Sequence, residues 1–209
     1  MCPIVLWLII VYHLTMKLIT ISGLDGSGKS TQIELLKAYL ESQDKKVFYF
    51  HAIQFGLANK LSGKNKSENT KSVTKANFFQ IILRRIFLMI DLMRFKKLLK
   101  KLEKEVFDYL ISDRYFYDSI INIRYLAKSE KKLPCKNFIV KPDLSIYLNA
   151  DPEIIMQRER KPDQGIDYLK KKKELYDNAV STWDIKIIDG NRNKEEIFAE
   201  IKNNAQFLF

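Results

Sequence analysis

Residues Gly23 to Ser30 read Gly-Leu-Asp-Gly-Ser-Gly-Lys-Ser, and they follow the apolar run Leu18-Ile19-Thr20-Ile21. The spacing G-x-x-x-x-G-K-[ST], set between a strand and a helix, constrains what this chain can fold into more than any other feature. Glycines at those places let the backbone reverse at a strand end and gather successive N–H groups at one point. The next helix, expected to open at about Thr31, turns its positive dipole end to the same point. That cradle suits phosphate oxygens. Gly23, Leu24, Asp25, Gly26, Ser27, Gly28, Lys29, Ser30 and Thr31 are therefore the candidate residues for a nucleoside triphosphate such as ATP. Lys29 would supply a mobile charge to the β- and γ-phosphates, and Ser30 a hydroxyl to Mg²⁺. The plainer alternative is a Gly-rich structural turn, which has no need of this strand–helix setting. The loop does not name a reaction, because switches, motors and kinases all carry it.

Outward from that loop the chain alternates short apolar runs with helix-like segments. Strands are expected at Val47 to Phe50, Tyr109 to Ser112, Leu144 to Leu148 and Ile185 to Ile188. Ile33, Leu36 and Leu40 mark one face of the helix after the loop. Ala76 to about Val106 and Tyr115 to Ala127 read as helical, with Leu57 to Lys75 a polar, Lys-rich loop and Lys128 to Pro142 a connection. Asp151 opens a helix with Pro152 at its favoured first position. Asn193 and Glu196 have capping-box spacing for the last helix, whose Ile197, Ile201 and Ala205 face a core. Such alternation predicts an α/β fold, a parallel sheet covered by helices on both faces. Ligands of such sheets lie beyond the carboxyl ends of the strands. Gly23 to Ser30, Asp113-Arg114 and the turn Asp189-Gly190 all follow strand ends.

With 209 residues the chain is expected to form one domain with a substantial core. Its two cysteines, Cys2 and Cys135, have neither metal-ligand spacing nor a disulfide framework, which fits a reducing, cytoplasmic compartment. The net charge of +11 raises the question of a nucleic-acid partner. No motif for one accompanies it, so the lysines at Lys96-Lys97, Lys100-Lys101 and Lys170 to Lys173 are expected on solvated helix faces. Leu98, Leu99, Leu102 and Val106 interleave the first cluster at helical spacing. Ile4 to Tyr12 is almost wholly apolar, yet far shorter than the ~20 residues of a membrane span. It also lacks the basic flank of a signal peptide. Met1 to Thr15 is expected to be an extension from an unused upstream start, with a weak anchor or an extra packed segment as alternatives. The domain then runs over residues 16–209, and no stable membrane association is expected.

Asp113-Arg114-Tyr115 stands at the end of the third strand. A carboxylate there can hold Mg²⁺, and the arginine beside it can grip a second phosphate with its planar fork. Tyr115 is a candidate for packing on a base or sugar. The alternative is a capping Asp with a surface ion pair. Gln157-Arg158-Glu159-Arg160-Lys161 falls in a charged loop that Pro162 and Gly165 mark as irregular. A cationic loop that closes over phosphates stabilises moving phosphoryl charge and excludes water. Its alternative is a solvated helix end.

Four segments, G-L-D-G-S-G-K-S-T, I-S-D-R-Y-F-Y-D-S, K-P-D-L-S-I-Y-L-N-A-D-P-E and Q-R-E-R-K-P-D, resemble the thymidylate kinase family of nucleoside monophosphate kinases. They occur in the family's order and at similar spacing, from about Met16 onward. The resemblance implies a three-layer P-loop kinase fold with a five-stranded parallel sheet and a lid. It also implies transfer of the ATP γ-phosphoryl to a nucleoside monophosphate such as dTMP, with Mg²⁺, and a possible homodimer. On the matching positions it implies that Asp25 contacts the acceptor sugar, that Arg114 holds the acceptor phosphate and that Asp113 lies near metal and phosphates. Ser27, a small residue within the loop, together with Arg158 and Arg160, resembles the class that carries its catalytic arginines in the lid. Lys29, Asp113, Arg158 and Arg160 are thus the candidate catalytic residues. The chain departs from the family's pattern twice. Phe50-His51-Ala52-Ile53-Gln54 replaces an Arg-Glu-Pro-type segment, and His51 reads as an ordinary loop histidine. Leu92 follows Asp91 where the family commonly has a thymine-contacting arginine, leaving Arg94, Arg84 or Arg85 as substitutes. The rival readings are a kinase of the same fold with another acceptor, and a non-catalytic nucleotide-binding protein with a basic partner surface.

Overall fold

The computed structural model describes residues 16–56, 76–129 and 138–208. The expectations for Met1 to Thr15, for Leu57 to Lys75 and for both cysteines lie outside the described residues, as does part of the Lys128 to Pro142 connection. In chain order the elements are β1 (Lys17–Gly23), α1 (Lys29–Glu41), β2 (Val47–His51), α2 (Ala52–Phe55), α3 (Phe78–Lys104), β3 (Tyr109–Asp113), α4 (Phe116–Ala127), β4 (Leu144–Asn149), α5 (Pro152–Gln157), α6 (Ile166–Val180), β5 (Lys186–Asp189) and α7 (Lys194–Ala205). A short 3₁₀ turn, Gln206–Leu208, follows.

The strands form one parallel sheet in the order β2-β3-β1-β4-β5. The chain leaves β1 for the edge at β2, returns to β3 beside β1, then crosses to β4 on β1's other flank. The carboxyl end of β1 is therefore the switch point where a crevice opens and where a ligand of such a sheet binds. The strands read as continuous apolar runs because both faces are covered. Ile19, Ile21, Ile146 and Leu148 point one way, onto Ile33, Leu36 and Leu40 of α1 and Ile197 and Ile201 of α7. Leu18, Leu110 and Tyr147 point the other way, onto α3, α4 and α6. Each fully buried aliphatic side chain contributes about 1.5–3 kcal/mol, so the two layers hold the strand ends in fixed register.

Local chemistry sets the helix ends. Asp151 accepts from the Glu153 amide at 2.9 Å with Pro152 as the first helical residue. Asn193 accepts from the Glu196 amide at 2.8 Å, the cap the spacing predicts. Asn77 and Gln80 form a reciprocal capping box that opens α3, one continuous helix. Three expectations shift. Helix α1 starts at Lys29, two residues earlier than Thr31, so Lys29 and Ser30 stand in its first turn. Val106 lies beyond the end of α3 at φ 55°, and it is 66% exposed, so it takes no part in the leucine face. His51 is the last residue of β2, in register with Asp113, and not a loop residue.

Tyr115 corrects a site expectation. It is fully buried, edge-on to Phe95 and Phe116, with its hydroxyl donating to the Val140 carbonyl at 2.6 Å. An aromatic ring held this way fixes the start of α4 and does not line the crevice. Tyr115→Phe should lower unfolding stability by about 1 kcal/mol, the typical net value of one lost hydrogen bond. Urea midpoints will show it, and the KM for any acceptor nucleotide should stay at the wild-type value. A raised acceptor KM at wild-type stability would return Tyr115 to the site.

Candidate active site

The Gly23 to Thr31 segment folds as the glycine spacing requires. Gly23 has φ 155°, and a Cβ there would lie 2.9 Å from the Leu148 carbonyl oxygen and 2.8 Å from Ser27 Oγ. The loop therefore passes directly against the end of β4. Gly28, at φ 97°, is the N-cap residue of α1 and offers no side-chain cap. The first N–H groups of α1 have no intrahelical acceptor, so they and the helix dipole face the loop's concavity. Lys29 folds back over that concavity and donates to the Leu24 carbonyl at 2.6 Å. Burial pushes the Lys29 ammonium down to about 8, and the Arg114 guanidinium adds to that push. Ser30 and Thr31 are exposed, while Ser27 is buried with its Oγ unpartnered among the described residues.

The end of β3 brings the second half of the site. Arg114 follows that strand at φ 64°, a left-handed conformation that non-glycine residues rarely adopt. Its N–H donates to the Ile21 carbonyl of β1 at 3.0 Å, and its own carbonyl accepts from Ser112 Oγ. Those bonds hold the backbone in a strained turn of a kind that clusters at functional sites. The turn swings the guanidinium toward β1, where Nη2 pairs with Asp25 Oδ1 inside the phosphate loop. Nη1 lies 3.7 Å from Asp118 Oδ1 on α4. Asp113 is buried at the strand end and accepts from the Tyr49 hydroxyl at 3.1 Å.

Asp118 was not singled out by the sequence, yet it organises this corner. It accepts from Ser22 Oγ at 2.6 Å, from the Tyr115 amide at 2.8 Å and from the Tyr176 hydroxyl at 2.5 Å. One carboxylate thus ties β1, α4 and α6 together behind Arg114. Its place in the first turn of the helix that follows Arg114 was the available signal. Burial works against the Arg114 charge, but the carboxylates of Asp25 and Asp118 raise its pKa further above the ordinary value. Burial also acts to raise the Asp25 carboxyl, and the charges of Arg114, Lys29 and Lys172 overcome it and hold it at about 2.

The charged loop after α5 lies against the phosphate loop. Arg158 donates to the Gly26 carbonyl at 2.5 Å and to the Gly190 carbonyl at 3.0 Å. It therefore bridges the phosphate loop and the turn after β5, the third strand end named above. Pro162 of the same loop would lie 3.4 Å from a Cβ on Gly26. Arg160 is exposed and takes no part in that bridge. On the far side, Arg94 of α3 pairs with Asp91 at 2.5 Å, donates to the Phe55 carbonyl at 3.0 Å and lies over the Phe55 ring at 4.3 Å. The structure therefore brings together Asp25, Lys29, Asp113, Arg114 and Arg158, holds Arg94 against Asp91 and Phe55 and leaves Tyr115 in the core.

This geometry has a counterpart among known proteins. A sequence model described as thymidylate kinase matches residues 21–201. The chain belongs to the thymidylate kinase family. Within that family it is 28% identical over 200 residues to the thymidylate kinase of Thermosipho africanus, covering 88% of this chain and 95% of that one. It is 29% identical to the probable thymidylate kinase of Methanosphaera stadtmanae, again covering 88% and 95%. A solved structure of thymidylate kinase from Candida albicans shares the fold with a TM-score of 0.62 at 20% identity, over 92% of each chain. The five-stranded parallel sheet between helices is the P-loop kinase architecture. Among the described residues no helix is long and apolar enough to cross a membrane.

The Asp25 carboxyl yields a test of this electrostatic arrangement. Its pKa falls on folding from the ordinary 3.8 to about 2. The stabilisation is therefore present above pH 3.8 and is lost as pH falls toward 2. The shift corresponds to about 2 kcal/mol. Urea unfolding of wild type and Asp25→Asn should show a stability gap that narrows by about that amount between pH 5 and pH 2.5. A gap independent of pH would disprove the pairing.

Proposed function

We propose that this chain transfers the γ-phosphoryl group of ATP to a nucleoside monophosphate, with dTMP as the acceptor and dTDP and ADP as the products. The observation that carries the reading is the Asp25–Arg114 bridge. It supports the reading because the arginine matched to an acceptor phosphate then stands against the loop matched to the donor phosphates. A protein that only bound one triphosphate would have no use for a second cation at the end of β3 beside the loop that follows β1.

Position suggests the phosphate-binding roles, and the family resemblance supplies that of Asp25 toward the acceptor sugar. The backbone amides of Gly26 to Thr31 and the Lys29 ammonium bind the donor phosphates. Arg114 releases Asp25 to hold the acceptor phosphate, and Asp25 turns to the acceptor sugar. An acceptor phosphate oxygen forms a bond to the γ-phosphorus as the bond to the β–γ bridging oxygen breaks, and ADP leaves with that electron pair. No covalent enzyme intermediate is needed, because holding both nucleotides in line is the main task. Arg158 supplies cationic charge to the transferring group from its seat above Gly26, and Arg160 joins it when the loop closes. The Ser30 hydroxyl and the Asp113 carboxylate are hard oxygen donors, the kind Mg²⁺ takes, and such an ion draws most of its other ligands from phosphates and water. When bound, Mg²⁺ neutralises charge on the donor phosphates. Reduced cytoplasm, where ATP is abundant, is the compartment that fits.

One specific observation keeps a second acceptor in view. Leu92 and not arginine follows Asp91, and Arg94 is already held by Asp91 and Phe55. A coupled assay of ADP release over a panel of nucleoside monophosphates and nucleosides decides between them. Turnover should be greatest with dTMP. Preference for another monophosphate would move the substrate assignment alone, and ATP binding without turnover on any acceptor would refute the kinase. In the same assay Lys29→Ala should lower kcat at least about 100-fold.

We further propose a homodimer. Phe79, Ile86 and Met93 recur every seven residues along α3, and all three are exposed. The stripe is the kind of helical face that a second copy of the same helix covers. Light scattering on the purified chain should give twice the mass of one chain, and Ile86→Glu with Met93→Glu should give one. A wild-type monomer at tens of micromolar would end the proposal.

A further inference from the structure

The lysine run Lys170 to Lys173 was expected to be solvated, and one of its members is not. Lys170, Lys171 and Lys173 pair with surface carboxylates. Lys172 is 7% exposed and stands on the buried face of α6, with Tyr168, Leu169 and Tyr176. Its direct partners are neutral. Nζ donates to Asn122 Oδ1 of α4 at 3.1 Å and lies 5.4 Å from the ring centre of Tyr168. A cation held this way is costly, and a methionine or leucine would fill the same face at less cost. The charge therefore needs a use that packing does not supply.

The surroundings name one. Lys172 opens onto a cavity of about 10 Å³, room for a single water, whose other walls include Gly23, Asp25, Arg114, Tyr168 and Tyr176. The same small space thus joins the phosphate loop, the arginine at the end of β3 and the helix that follows the charged loop. Burial pushes the Lys172 ammonium down to about 8 and Arg114 adds to that push, while the carboxylates of Asp25 and Asp118 oppose it. Two buried cations beside one polar hole make an anion site. Asp25 occupies it now through its pairing with Arg114, and an incoming phosphate would displace that pairing.

We infer that Lys172, buttressed by Asn122, is a second cation for the acceptor's phosphate and acts with Arg114. The inference rests on the kinase reading above and extends its acceptor site. Asn122 positions Lys172 without touching the acceptor.

The test is calorimetric binding of dTMP and of thymidine, without ATP, to wild type and Lys172→Met, with steady-state KM values for dTMP and ATP beside it. The variant should bind dTMP at least about tenfold more weakly, the cost of a lost charge-assisted hydrogen bond. Its thymidine affinity and ATP KM should stay within about twofold of wild type. Its melting temperature should equal or exceed wild type, since a partly uncompensated buried charge is removed. Unchanged dTMP affinity overturns the inference. So does an equal loss for dTMP and thymidine, which would place Lys172 on the sugar or base, or a parallel rise in both KM values. Wild-type protein inactive on every nucleoside monophosphate would instead defeat the kinase reading on which it rests. Should Lys172→Met fail to fold, Lys172→Gln, polar and uncharged, is read by the same criteria.

Discussion

The pairing of Arg114 with Asp25, backed by Asp118, is the interaction on which the rest of the site depends. A guanidinium inside a protein is tolerated only when carboxylates and hydrogen bonds replace its water. Here the two carboxylates come from different elements, one from the phosphate loop and one from α4. They meet Arg114 because β1 and β3 are neighbours in the sheet, with Ile21 beside Asp113 in register. A slip of that register would separate the charges and leave each buried alone. The hydrophobic layers above and below the sheet fix the register, so packing and electrostatics at this corner support one another. The left-handed turn at Arg114 carries a cost of about 1–3 kcal/mol that the same bonds offset.

The pair also links two states of the site. In the free protein Arg114 and Asp25 satisfy one another. In the proposed reaction a phosphate arriving at Arg114 would compete for the same donors and free Asp25 for another contact. The resting ion pair thus keeps both groups charged and close to position, which limits the reorganisation that binding requires. Arg158 is held in a comparable way against the phosphate loop. Its bonds to the Gly26 and Gly190 carbonyls hold a cation over the loop.

The sequence made legible what short-range spacing controls. The phosphate loop, the strand ends, the Asp151-Pro152 start and the Asn193 cap are each set by residues within a few positions of one another. The segment at Asp113-Arg114 could be placed beside that loop because a doubly wound sheet gathers its strand ends, and Arg158 because its charged loop, marked by Pro162 and Gly165, reads as one that closes over phosphates. What spacing does not control is the direction of a side chain within packed layers. Tyr115 follows Arg114 directly, yet the turn that sends Arg114 to the crevice sends Tyr115 into the aromatic cluster with Phe95. Asp118 looked like one more acid in a helix, and only the convergence of Ser22 and Tyr176 from distant elements gives it its role. His51 reads as a loop residue until β3 is seen to pair with β2 as far as Asp113.

The lysines illustrate the same limit for charge. Composition shows a large positive excess, and the simplest account of it, solvated helix faces, holds for Lys170, Lys171 and Lys173. It fails at Lys172 because a helix of period 3.6 must turn one residue of any four-residue run toward its core. Placed there, a lysine cannot be a neutral part of the surface, and its charge acts on whatever the core face meets. On α6 that face meets Asp25 and Arg114. The basic character of the chain is therefore of two kinds. Most of it lies exposed and interacts with water and surface carboxylates. A small part, Lys29, Arg114 and Lys172, is buried around the ends of β1 and β3, where low dielectric strengthens every charge.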